Sequence, residues 1–127
     1  ELAQGIDERA VTPHRIRKSL SSEMTFSENI QLLPGLVPPL RGILEGLAED
    51  LAGRHSKRRI RSLVVKLKFA DFERTTAERA GDRLDAAVFE ELLAEAWKRG
   101  RGRAVRLLGA GVRFDDPNKN EQPDLFA

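Results

Sequence analysis

The residues from Ile60 to Phe69 constrain the fold of this 127-residue chain more than any others. Apolar and polar side chains alternate there almost without exception: Leu63, Val65, Leu67 and Phe69 alternate with Ser62, Val64, Lys66 and Lys68. Successive side chains of a β-strand point to opposite faces of a sheet, so this alternation predicts a strand with one buried face. The face that carries the lysines is expected in water, so other elements must cover the sheet on its apolar side only.

Two further strands are predicted from the same kind of pattern. In residues 17–26 the apolar residues Leu20, Met24 and Phe26 are separated by even numbers, which places them together on one face. Residues 72–80 are more polar and follow a tight reversal of the chain, which is typical of the second strand of a hairpin.

The last strand is predicted over residues 104–114. Alternation places Val105 and Leu107 on one face of this strand and Arg106 and Leu108 on the other. The glycines that follow in this segment indicate a bulge or the close approach of a neighbouring strand.

Helical spacing of apolar residues predicts two amphipathic helices. The first covers about residues 37–53 and follows two prolines, which a first helical turn tolerates. Its apolar stripe consists of Leu40, Ile43, Leu44, Leu47 and Leu51. The second covers about residues 86–99 and begins after Asp85, a favourable N-cap. Its apolar stripe consists of Leu84, Val88, Leu92, Ala96 and Trp97.

These elements follow one another as β-α-β-β-α-β, which indicates an α+β fold: a four-stranded antiparallel sheet with both helices on one face. A hydrophobic content of 40% over 127 residues fits one folded domain, residues 16–114. We expect residues 1–15 to be a linker from a preceding domain and residues 115–127 to be a flexible tail.

Composition excludes several classes of protein. The chain has no Cys and only two His, which leaves no disulfide, thiol nucleophile or zinc-ligand set. No apolar run reaches the ~18 residues of a membrane-spanning helix, and no signal-peptide pattern is present. Neither paired carboxylates in an apolar setting nor a Gly-rich phosphate loop occurs, so no active site is expected. We expect a cytoplasmic, monomeric piece of a longer protein with no cofactor of its own.

Charge is unevenly distributed, although 22 Lys and Arg stand against 20 Asp and Glu. Residues 54–68 and residues 98–106 contain many basic residues and no acidic one. Lys, Arg, Ser and Thr, the side chains that contact phosphates, predominate on the uncovered face of the predicted sheet. The pattern alone fits a solvated polar face as well as a nucleic-acid surface. Because Tyr is absent, base stacking is not expected, and a duplex backbone is the better ligand.

Three segments, residues 17–26, 65–76 and 101–114, resemble the C-terminal little finger domain of Y-family translesion DNA polymerases, in the family's order. Residues 2–11 resemble the stretch that joins the family's thumb domain to its little finger. The resemblance implies a domain that grips both backbones of primer–template duplex. It also implies that the catalytic carboxylates and their Mg²⁺ belong to a palm domain absent from this sequence, so that this chain binds DNA without synthesising it.

The same resemblance, carried over by position, implies a set of DNA-contacting residues. They are Lys18, Ser19, Thr25, Lys66, Lys68, Thr75, Thr76, Arg103, Arg106 and Arg113.

The end of the tail resembles the clamp-binding peptide of bacterial polymerases, roughly Gln-Leu-x-Leu-Phe. Gln122 would supply a directional hydrogen bond, and Leu125 and Phe126 would fill an apolar pocket on the sliding clamp. Pro123 stands where the family prefers Leu, which removes one apolar contact. The implied partners are primer–template DNA, the sliding clamp and the rest of the polymerase.

An alternative interpretation is a protein-interaction module whose main function is clamp binding. It predicts no duplex binding, little salt dependence and no effect of charge reversal at Lys66, Lys68 and Arg106.

Overall fold

The structure, a computed structural model, describes residues 19–53, 55 and 57–115. Its regular elements, in chain order, are strand β1 (Ser19–Ile30), helix α1 (Val37–Gly53), strands β2 (Ile60–Phe69) and β3 (Arg74–Ala80), helix α2 (Ala86–Arg99) and strand β4 (Val105–Phe114). A short 3-10 helix, Leu33–Leu36, leads into α1. Among the described residues, no helix is long and apolar enough to cross a membrane.

The four strands form one sheet in the order β1-β4-β2-β3, and every neighbouring pair is antiparallel. Both helices lie on the same side, because their buried residues join one face of the sheet in a single apolar cluster. The predicted β-α-β-β-α-β fold is confirmed. The opposite side of the sheet is left uncovered, and we call it the open face.

Strand β2 has the predicted two faces. Leu63, Val65, Leu67 and Phe69 are buried under the helices, at 1% exposure or less. Residues that pair directly across strands share a face, so the register of β2 with its neighbours assigns the side chains of β3 and β4 to either face.

Strand β1 extends beyond its predicted end, to Ile30. Leu20 is buried and Phe26 packs against the core, as predicted. Met24 lies on the helix face, opposite buried Leu108, but it is 40% exposed. Met24 therefore shares the predicted face with Leu20 and Phe26 but stays exposed, because β1 is an edge strand that the helices cover only in part.

The predicted faces of β4 are wrong in one respect. Leu108 pairs with Leu67 on the helix face and is fully buried, whereas Leu107 pairs with Lys68 on the open face. The alternation fails because the register shifts at the start of β4, where Val105 pairs with Phe69. Such a bulge inserts a residue and reverses the faces that simple counting assigns.

The glycine predicted to mark a close approach does so at Gly111. A Cβ there would lie 2.6 Å from the Leu20 carbonyl oxygen and from the Ser21 Cβ. A side chain at this position would push β1 away from β4, so glycine is required for the first strand to join the sheet.

Both helices have their predicted bounds. Asp85 caps α2, since its Oδ1 accepts a hydrogen bond from the Ala87 amide at 3.1 Å. Phe89 and Leu93 also lie in the buried stripe of α2, next to the predicted Leu92 and Ala96.

Candidate nucleic-acid interface

The open face is assembled from alternate residues of all four strands. By register it carries Ser19, Ser21, Glu23 and Thr25 of β1, Leu107, Gly109, Gly111 and Arg113 of β4, Ser62, Val64, Lys66 and Lys68 of β2, and Arg74, Thr76 and Glu78 of β3. Small and polar side chains thus line the middle of the sheet, and charged ones stand around them. A shallow groove runs between β1 and β3 over Gly109 and Gly111.

Part of this face is electrically neutralised by pairs that cross the strands. Lys66 Nζ lies 3.1 Å from Glu23 Oε2. Arg113 Nε lies 3.0 Å from Glu78 Oε2, which also accepts a hydrogen bond from Ser62 Oγ at 2.6 Å. Each pair joins a cation to a carboxylate on another strand. We call the half of the open face that holds these two pairs the paired half.

The other end of the face, near the β2–β3 turn, differs. Lys68 and Arg74 are directly opposite each other on neighbouring strands. Lys68 Nζ lies 5.2 Å from the centre of the Phe72 ring, and Arg106 Cζ lies 5.0 Å from it. Among the described residues, none of these three cations forms an ion pair with a carboxylate. We call Lys68, Phe72, Arg74 and Arg106 the cationic end.

Ser19, Thr25, Lys66, Lys68, Thr76 and Arg113 lie on the open face, where the sequence analysis placed them. Arg106 lies in the bulge of β4 and reaches the same Phe72 ring as Lys68. Lys18, Gln122, Leu125 and Phe126 lie outside the described residues, as do the linker and most of the tail.

The placement of Thr75 on the open face is wrong. Thr75 pairs with buried Leu67, and its Oγ1 donates a hydrogen bond to the Ala96 carbonyl of α2 at 2.8 Å. Consecutive residues of a strand must face opposite ways, so only Thr76 of this pair lies on the open face.

Arg103 makes its contacts within the fold and not on the open face. Its Nη1 lies 2.9 Å from Asp71 Oδ2, its Nε donates to the Gly100 carbonyl at 2.8 Å, and its guanidinium lies over the Phe69 ring at 4.8 Å. The hydrogen bond from Arg103 holds the pKa of Asp71 below its ordinary value. Arg103 thereby ties the α2–β4 connection to the β2–β3 turn.

Sequence reasoning missed Arg74 and Phe72 as members of the site. Arg74 could have been found, because it precedes Thr76 by one strand period and so shares its face. Phe72 carries no such signal, since its position depends on the conformation of the turn.

A second group of cations lies at the far end of the sheet. Arg58 Cζ is 4.2 Å from the centre of the Phe114 ring, against which His55 also stacks. An open depression next to it is lined by Lys57, Arg59 and Arg61, together with Asp82 and Asp115. This corner therefore brings both signs of charge together.

Comparison with known proteins gives consistent matches. Residues 17–125 match the impB/mucB/samB family C-terminal domain. Curated relatives include DNA polymerase IV of Shewanella denitrificans, 40% identical over 124 residues, and DNA polymerase IV of Legionella pneumophila (strain Corby), 43% identical over 128 residues. Each alignment covers 98% of this chain and 35% of the relative, so the chain spans about a third of the length of these relatives.

Solved structures show the same architecture. The PolIV little finger domain, solved in complex with the beta-clamp processivity factor, has a TM-score of 0.73 and 32% identity, covering 78% of this chain and 90% of that one. A Y-family DNA polymerase chimera has a TM-score of 0.67 at 21% identity, covering 78% of this chain and 29% of that one, and shares the fold.

Proposed function

Because this chain belongs to the impB/mucB/samB family C-terminal domain and has the fold of the DNA polymerase IV little finger, we propose that it grips primer–template duplex for a translesion DNA polymerase. The grip acts on the phosphate backbones through the open face. It holds the duplex while a catalytic domain elsewhere in the polymerase adds nucleotides.

The observation that supports this proposal most directly is the cationic end. Lys68, Arg74 and Arg106 lie together without a carboxylate partner among the described residues. Like charges placed directly opposite on neighbouring strands destabilise a sheet. A bound polyanion would remove that repulsion. The arrangement therefore favours a bound phosphate backbone over a face exposed to water alone.

The hydroxyls of the open face complement these cations. Ser19 and Thr25 of β1 and Thr76 of β3 stand on the two outer strands of the sheet and can donate hydrogen bonds to phosphate oxygens. Such contacts fix the position of a duplex without reading its sequence, which suits a polymerase that must move along any template. We propose that Lys18, which precedes β1 in the sequence, adds a further phosphate contact.

The proposed binding depends on salt. Each phosphate contact that releases a counterion contributes roughly −0.9 to the slope of log affinity against log salt. With about four to six contacts, affinity falls by orders of magnitude between low and moderate salt.

We also propose that the tail docks on a sliding clamp. The support is the Gln122–Phe126 peptide and the similarity to a PolIV little finger solved in complex with a beta clamp. Leu125 and Phe126 would enter an apolar pocket, and Gln122 would fix the direction of the peptide. Clamp binding as the main function is the alternative, and it requires no contribution from the cationic end.

Catalysis is assigned to the rest of the polymerase. We propose that the palm of the complete enzyme supplies the carboxylates and Mg²⁺, and that this chain alone extends no primer. Incubation of the chain with primed template, dNTPs and Mg²⁺ tests this, and any primer extension would contradict it.

The proposed DNA grip is tested by fluorescence anisotropy of a labelled primer–template duplex at several salt concentrations. We expect binding that weakens linearly in log salt and is abolished by Lys68→Glu with Arg106→Glu. Absence of binding at low salt, with binding of a sliding clamp retained, would favour the alternative. A chain without residues 122–127 serves as the matched control, because it should lose the clamp and keep the duplex.

A further inference from the structure

Phe72 occupies a backbone position that is unfavourable for its type. Its φ is 69°, in the left-handed region, and it closes the β2–β3 turn. Its amide donates to the Phe69 carbonyl at 2.8 Å, and the Phe69 amide donates to the Glu73 carbonyl at 2.9 Å. A three-residue hairpin loop of this kind normally has glycine at the left-handed position. A bulky residue there is an outlier that invites a functional explanation.

Packing does not explain the choice of phenylalanine. The side chain is 59% exposed, and it lies outside the apolar core cluster. The Lys68 ammonium and the Arg106 guanidinium each lie about 5 Å from the ring centre. The turn thus holds an exposed aromatic ring between two cations, and a third, Arg74, lies directly opposite Lys68 on the neighbouring strand.

The Asp71 side chain also stabilises the turn. Asp71 Oδ1 accepts a hydrogen bond from the Glu73 amide at 3.1 Å, and Asp71 Oδ2 is held by Arg103. The Phe72 ring therefore projects from a loop that Asp71 holds in place, although the backbone of Phe72 is strained.

We propose that Phe72 is a DNA-contacting residue that packs its ring on a deoxyribose of the duplex backbone, while Lys68, Arg74 and Arg106 hold the phosphates on either side. This inference rests on the proposed function and deepens it. In a nucleic-acid strand each sugar lies between two phosphates, so an apolar ring among cations matches that sequence of groups. The bases of a duplex are stacked on one another, which leaves the sugar as the apolar surface that an outside ring can reach.

The charge of the site favours this partner over an apolar protein surface. A protein that covered Phe72 would have to bury three cations or supply acidic groups for them, and unpaired buried charges are costly. A phosphodiester backbone supplies the charges and the apolar sugar together.

The test measures duplex affinity of the full chain at several salt concentrations for Phe72→Gly, Phe72→Asn and Phe72→Leu. Gly and Asn both accept the left-handed conformation and remove the ring, whereas Leu keeps apolar bulk. We expect Gly and Asn to weaken binding by about fivefold to tenfold, the effect of losing part of an apolar contact, and Leu to retain most of the affinity. The slope against log salt should stay unchanged, because no phosphate contact is lost.

Met24→Ala is the matched control, since Met24 is an exposed apolar residue on the helix face. It should bind duplex as the unmodified chain does. Thermal unfolding of each variant checks the fold, and we expect Phe72→Gly to unfold at no lower temperature.

Three outcomes overturn the inference. Unchanged affinity in Phe72→Gly and Phe72→Asn would show that the ring makes no contact with DNA. A decrease in the salt slope that corresponds to about one phosphate contact would show that the ring only positions the cations. Tighter binding of an acidic protein than of duplex, lost with the ring, would assign the site to that class of partner. Failure of the proposed function is separate, because then the unmodified chain itself does not bind duplex.

Discussion

The paired half and the cationic end of the open face both place cations on neighbouring strands of one sheet, yet they differ in what surrounds each cation. Lys66 and Arg113 have carboxylates within about 3 Å, whereas Lys68 and Arg74 face each other. An exposed ion pair stabilises a fold little, but it must open or be shared before its cation can bind a phosphate. Counting basic residues on a surface therefore overstates its capacity for DNA.

The largest expected effect comes from removing charge at the cationic end. Lys68→Gln with Arg74→Gln should lower duplex affinity by about an order of magnitude or more and reduce the salt slope by roughly two contacts. The matched control is Glu23→Gln with Lys66→Gln, which deletes a whole pair without changing net charge. Anisotropy titrations of both double variants measure the difference. Equal losses in the two would show that pairing has no influence.

A smaller effect of opposite sign is expected from the carboxylates of the paired half. Glu23→Gln with Glu78→Gln removes two anions from the face and releases Lys66 and Arg113 for phosphate. Duplex affinity should rise by about threefold to fivefold, with a steeper salt slope. Weaker binding of this variant in the same titration would mean that the pairs position the cations for DNA.

Adjacent threonines separate stability from binding. Thr75→Val removes the hydrogen bond to the Ala96 carbonyl and should lower the free energy of unfolding by about 1 kcal/mol, with duplex affinity unchanged. Thr76→Val should lower duplex affinity and leave the free energy of unfolding unchanged, because Thr76 stands on the open face. Denaturant unfolding and anisotropy on both variants give the comparison. A loss of affinity in Thr75→Val at full stability would place that hydroxyl against DNA.

The smallest expected effect concerns the ion pair between Asp71 and Arg103, which stabilises the β2–β3 turn next to the cationic end. Because the hydrogen bond from Arg103 lowers the pKa of Asp71 in the folded chain from 3.8, Asp71 contributes stability above that value. The contribution is lost as the pH falls through the lowered pKa. Asp71→Asn should therefore lower the melting temperature slightly at neutral pH and have no effect well below pH 3.8. A difference that stays constant over this range would exclude the ion pair as its cause.

Much of the fold could be predicted because its signals are local. The alternation of β2, the spacing of both helices and the Asp85 cap each depend on nearby residues, and the structure has them as expected. The faces of β4 could not be predicted by counting, since a register shift against β2 depends on the partner strand. The exposure of Met24 depends on how far the helices extend over the edge of the sheet.

The candidate site was predictable in its location and less so in its chemistry. The open face follows from having both helices on one side, and most of the expected residues lie on it. The pairing of Lys66 with Glu23 joins residues far apart in sequence, and only the strand order brings them together. Arg103 was predicted to contact DNA from its resemblance to family positions. Its contacts with Asp71 and the Gly100 carbonyl depend on the conformation of the turns and could not be predicted from the sequence.

The alternation in β2 also has an evolutionary consequence. Lys66 and Lys68 flank Leu67 in sequence, but the leucine is fully buried and the lysines project to the other side of the sheet. A mutation at either lysine therefore leaves the core unchanged, and selection can strengthen or weaken the proposed contact with DNA in single steps at nearly constant stability. Related chains can thus diverge in the strength of this proposed contact while they keep one fold.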